Sequence, residues 1–180
     1  MKKLLMIIPL VILLCFTFSC QKQAEESITN EQVNALIDEH LKIWNEGNLA
    51  LVDKCFSQDC VYDGPFQPEP IVGSEAIKNL LSTDFKTFSA VNVKLKDVFI
   101  KDDKIALTWT WTGTHSGPLE MPTGTIPPTG KIMKTSGVNI ARVANGKFVE
   151  YRFYFNPLDL LLSMGFSLTP SQSPAVEEKN

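Results

Sequence analysis

Histidine and cysteine are scarce in this chain: its 180 residues include two of the first and four of the second. Cys15 and Cys20 belong to the amino-terminal segment, and the remaining pair, Cys55 and Cys60, lacks the matched histidines that would complete a zinc site. Positive charge is also short. The formal net charge is −3, and without Lys2 and Lys3 the rest holds 15 basic against 20 acidic side chains. No basic patch with interleaved aromatics is therefore offered to nucleic acid. The longest apolar run, Leu4 to Phe18, falls short of the roughly 20 residues that span a bilayer as a helix. There is no internal repeat, so one core is the economical reading.

The two ends read differently from the middle. Residues 1–19 open with Lys2 and Lys3 and continue apolar, the pattern of a secretory signal. Thr17-Phe-Ser-Cys20 resembles a bacterial lipoprotein signal, which implies a lipid on Cys20, the new amino terminus, and a place in the cell envelope as a membrane-anchored lipoprotein. Plain secretion and an uncleaved anchor are the alternatives. Residues 20–27 then form a tether, 28–166 a single domain of usual size, and 167–180 a tail with too little apolar surface to order itself.

Within the domain, Thr29 followed by Gln32 is a capping-box pattern that predicts a helix to about Glu46, stopped at Gly47. Val33, Leu36, Ile37, His40, Leu41 and Trp44 share one face of it. Asn48 to Phe56 predicts a second short helix, Cys60 to Asp63 a brief strand, and Gly73 to about Phe85 a third helix. Val91, Val93 and Leu95 alternate with polar residues before Val98 and Ile100 change parity, which predicts a bulge near Asp97. Asp102-Asp103 reads as a turn. Gly117 to Gly130, with four prolines, reads as a long loop, and Pro157 to Gly165 as a closing helical turn or two. In an exported chain Cys55 and Cys60 are a candidate disulfide; two small buried hydrophobes are the alternative.

The densest stretch runs from Trp109 to Gly165. Odd positions put Trp109, Trp111, Gly113 and His115 on one strand face, and even ones put Thr108, Thr110, Thr112 and Thr114 on the other. Asn145-Gly146 is the dipeptide that a tight hairpin prefers. A pure two-residue turn sets Asn139 opposite Arg152; a one-residue bulge brings Asn139 beside Tyr151, and the choice flips a face. In the last strand alternation sets Tyr151, Phe153 and Phe155 on one face and Glu150, Arg152 and Tyr154 on the other. The order of elements is that of an α+β fold: a cone-shaped, curved antiparallel sheet, about three helices of the amino-terminal half in its concavity, a short carboxy-terminal helix, and an apolar pocket between.

Trp44-Asn-Glu-Gly47 and this order of elements resemble the nuclear-transport-factor-2-like (ketosteroid-isomerase-like) superfamily. Gly113-Thr-His-Ser-Gly117, Pro127-Pro-Thr-Gly-Lys131, Gly137-Val-Asn-Ile-Ala-Arg142 and Asn145-Gly-Lys-Phe-Val-Glu150 are similar, more narrowly, to the SnoaL-like polyketide cyclase, or ester cyclase, group. That resemblance implies aldol ring closure without metal or cofactor. It also implies an acid/base aspartate in a Glu-x-Trp-Asp-x-x-Asp segment, but this chain reads Glu150-Tyr-Arg-Phe153-Tyr-Phe-Asn156. Phe153 stands at the position of that aspartate and cannot accept a proton. Asn139 stands where members often carry histidine or aspartate, and an amide is not a general base at neutral pH.

Three readings follow. The first is a tethered protein that binds a hydrophobic small molecule in an aromatic pocket, with Trp44, Tyr62, Trp109, Trp111, Asn139, Tyr151 and Phe153 in contact with it. The second is a cofactor-free cyclase, isomerase or hydrolase with His115 or Asp63 as the base. His40 is a third titratable group that could serve. His115 could instead fix the following loop, Asp63 could close an Asx turn, and His40 could be a core or rim histidine bonded to backbone. The third is an interaction module that forms a homodimer through the outer face of the sheet.

Overall fold

The computed structural model describes residues 28–121 and 124–167. The signal segment, Cys20, the tether and nearly all of the tail lie outside the described residues. Helix α1 (Asn30–Glu46) begins at the expected capping box: Thr29 Oγ1 accepts from the Gln32 N–H, and Gln32 Oε1 accepts from the Thr29 N–H. Gly47, at φ 66°, ends it, a left-handed conformation that costs glycine nothing. The expected stripe is buried and Ile43 joins it, while Leu41 and Trp44 stay partly exposed. A 3-10 turn (Leu49–Leu51) and α2 (Val52–Cys55) form the second helical segment.

Strand β1 (Phe56–Asp63) is twice the length expected, and β2 (Ile71–Val72) is a short addition at the edge. Helix α3 (Ser74–Thr87) leads into β3 (Phe88–Lys101), β4 (Lys104–His115), β7 (Ile132–Ala144) and β8 (Lys147–Phe155), with α4 (Pro157–Ser163) last. The stretch read as a long loop instead holds a small hairpin of its own, β5 (Leu119–Met121) and β6 (Gly124–Ile126).

The large sheet has the order β2-β1-β8-β7-β4-β3. It is mixed rather than antiparallel throughout, because β1 runs parallel to β8. Those strands are far apart in sequence, and no hairpin sets their relative direction. The bulge near Asp97 is present between Leu95 and Asp97, and the Thr108 hydroxyl holds it by donating to the Asp97 carboxylate at 2.8 Å. Asn145 and Gly146 form the tight turn at φ 51° and 71°. Neither expected register follows from it. Val143 pairs with Phe148 and Arg142 with Glu150, so the extra residue is in β8, and Asn139 faces Phe153.

Helices α1 to α3 cover the concave side. Val33, Ile37, Phe56, Ile77 and Phe148 are at most 3% exposed in the main core, each burying an apolar side chain worth about 2 kcal/mol. A smaller cluster of Met133, Leu160 and Met164 sits under α4. Cys55 and Cys60 are free thiols, both fully buried in the main core. The candidate disulfide is thus not formed, and burial pushes the thiols up to about 11 and about 12.

Candidate active site

Between the two clusters lies a cavity of about 300 Å³. Its floor comes from the alternation in β4 and β7, which points Leu107, Trp109 and Trp111, and Thr135 and Asn139, to the concave side. Trp109 Nε1–H donates to Asn139 Oδ1 at 2.8 Å, and Asn139 Nδ2 donates to the Tyr151 phenol oxygen in a short hydrogen bond. An indole N–H can only donate, so it fixes the amide with its oxygen toward Trp109 and its NH₂ toward Tyr151. The phenol oxygen thus accepts from the amide, and the Tyr151 proton is left to donate elsewhere. Burial keeps that proton on, raising the Tyr151 phenol well above its ordinary range.

Around Tyr151 the wall is aromatic. Its ring stacks on Tyr62 at 5.4 Å between centroids, with 3° between planes, and packs against Phe56 and Phe148. His40 joins this group at 5.1 Å from Tyr151. Burial pulls the His40 imidazole down to about 4, so it is neutral at pH 7. Phe153 is partly buried, lies over Gly64, and sits between Tyr62 and Phe155. Trp44 packs edge-on to Phe85, and Trp111 edge-on to Phe88. All seven residues expected to contact a ligand line this one cavity.

The two residues expected to act as bases do not line it. His115 is fully buried on the inward face of β4. Its Nδ1 accepts from the Thr129 N–H at 3.3 Å, and its backbone bonds Gly130 and Lys131, so it fixes the following loop. Burial holds its imidazole below the usual histidine range. Asp63 ends β1 opposite Arg152, half-buried and outside the cavity.

A carboxylate does reach the cavity, from an element that supplied no candidate. Asp84, in the last turn of α3, lines it. Burial pushes its carboxyl up to about 7, and no cation forms a salt bridge with it among the described residues. Its charge also helps to raise the Tyr62 phenol, which places Asp84 within electrostatic reach of the tyrosine stack. The sequence signal for Asp84 is its spacing: it follows Ile77, Leu80 and Leu81 at the interval of a buried helical stripe.

The sequence profile described as SnoaL-like polyketide cyclase matches residues 34–163. The chain belongs to the SnoaL-like polyketide cyclase family. No curated protein matches it in sequence. Among solved structures, TsrD from Streptomyces laurentii is 22% identical with a TM-score of 0.68, over 77% of this chain and 98% of that one. AclR from Streptomyces galilaeus is 27% identical with a TM-score of 0.64, over 78% and 89%. An LEH-like epoxide hydrolase from M. tuberculosis is 15% identical with a TM-score of 0.57, over 74% and 90%. This SnoaL-like domain therefore shares its fold with proteins of low sequence identity. Its own cavity combines an uncompensated carboxyl, a phenol with a free proton and walls of aromatic rings, the groups needed to take a proton and to hold the oxyanion that results.

Proposed function

We propose that this SnoaL-like domain is an enzyme that enolises a hydrophobic carbonyl compound in its aromatic cavity, with Asp84 as the base and Tyr151 as the donor to the enolate oxygen. The Asp84 carboxylate takes a proton from the carbon next to the carbonyl. The electron pair moves onto the oxygen, which accepts the Tyr151 hydrogen bond. Attack of that carbon on a second carbonyl of the same molecule closes a ring, and Asp84 returns its proton to the new alkoxide. These steps need no group that the described residues do not supply. In this reading Asp84, on the helical side of the cone, takes over the task that Phe153 cannot perform on the sheet side. The observation behind it is a carboxyl that lines the cavity with no cation beside it among the described residues, where burial pushes it up toward the range in which a general base works best.

The test uses 2-tetralone in D₂O, with exchange of its α-protons followed by NMR. The wild type should accelerate exchange over buffer by at least about 100-fold, D84N should lose nearly all of that, and Y151F about tenfold or more. No acceleration by the wild type, or full exchange by D84N, contradicts the reading. Binding without turnover is the second reading, favoured by the predominance of aromatic and aliphatic lining; it predicts tight binding with no exchange. We also place the protein in the cell envelope through a lipid on Cys20, on the strength of the signal-like segment before it.

A further inference from the structure

We propose that Thr135 is a second polar subsite, which takes a neutral hydroxyl or carbonyl group at the far end of an elongated, flat substrate. Thr135 is 6% exposed and lines the cavity, yet its Oγ1 has no hydrogen-bond partner among the described residues. A buried hydroxyl left unpaired is destabilising, and a ligand group bonding it would remove that cost. Thr135 and Asn139 lie four residues apart on the same face of β7, roughly 13 Å along the strand. Asn139 marks the end that holds Tyr151.

The space between them is flat and aromatic. Gly137, the intervening residue on that face, has no side chain, and a Cβ there would stand 2.5 Å from Trp109 Cζ2. The Trp109 indole therefore lies across the strand at that point. Trp111, directly opposite Thr135 in the sheet, extends the floor over Gly113 in the same way. Among the described residues, the ionisable side chains lining the cavity are His40, Tyr62, Asp84, Glu120 and Tyr151, with no lysine or arginine. A distal carboxylate is disfavoured by that set, and a neutral oxygen is not. The cavity thus fits an elongated apolar molecule that lies along the indole floor with one neutral oxygen at each end.

This inference rests on the proposed function only for which end holds the reacting carbonyl, and its test reads binding alone. The probes are 2,6-dihydroxyanthraquinone and 2-hydroxyanthraquinone, with affinities measured by quenching of the cavity tryptophans. The wild type should bind the dihydroxy compound about tenfold tighter, T135V should bind the two equally, and T135S should keep the preference. T135V should also melt no lower than the wild type, because it removes an unpaired buried hydroxyl. Equal affinities in the wild type, binding of neither probe, or a preference that survives in T135V overturns the proposal. Failure of the exchange assay with success here would leave Thr135 as a recognition residue of a binding protein.

Discussion

At the residue scale the decisive group is Asp84, and its burial has a cost that can be read in stability. Its folded pKa of about 7 lies above the value of about 3.9 in an unfolded chain. Across that interval the native state holds a proton that the unfolded chain has released, so stability falls as pH rises from about 4 to about 7 and stays reduced above. D84N, which carries no charge at any pH, should match the wild type near pH 4. At pH 8 it should exceed it by an amount on the order of 2 kcal/mol, allowing for the solvent that reaches the side chain. Urea denaturation of both proteins at both values checks this, and a difference between D84N and the wild type that is the same at pH 4 and pH 8 would contradict the burial argument. Exchange catalysed by the wild type should rise with pH through about 7, as the carboxyl ionises into its active form.

At the scale of elements, legibility followed the locality of the signal. The capping box at Thr29, the stop at Gly47, the bulge near Asp97 and the turn at Asn145-Gly146 were all readable, because each is set by residues a few positions apart. The parallel pairing of β1 with β8 was not, since it depends on where the helices deliver β1. The register of Asn139 was missed by one step for a related reason: the bulge falls in β8, and neither strand carries a residue that announces it. The ring-lined walls were legible from alternation, whereas Asp84 was hidden because a lone carboxylate in a helix usually faces water. Close approach of strands leads to a further expectation. A methyl on Gly137 would run into the Tyr154 carbonyl and the Trp109 indole, so G137A should cost about 2–4 kcal/mol. It should also weaken anthraquinone binding by tilting the floor, as a thermal melt and a quenching titration would show.

At the scale of the whole molecule, the curved sheet and its helices enclose a small cavity behind aromatic walls, and the sequence before the domain bears on where that cavity operates. If Cys20 is lipidated, the wild type should label with palmitate and sediment with membranes, whereas C20A should do neither while its α-proton exchange stays unchanged. A soluble, unlabelled wild type would argue for simple secretion. The central claim concerns the cavity rather than the anchor: the Asp84 carboxyl is held uncharged until near neutral pH in the same cavity as a phenol that keeps its proton. The most direct test is a ¹³C NMR titration of aspartate carboxyls in the intact domain, with the Asp84 resonance assigned by its loss in D84N. A midpoint near 7 is predicted; a midpoint near 4, that of an ordinary solvated aspartate, would contradict the account.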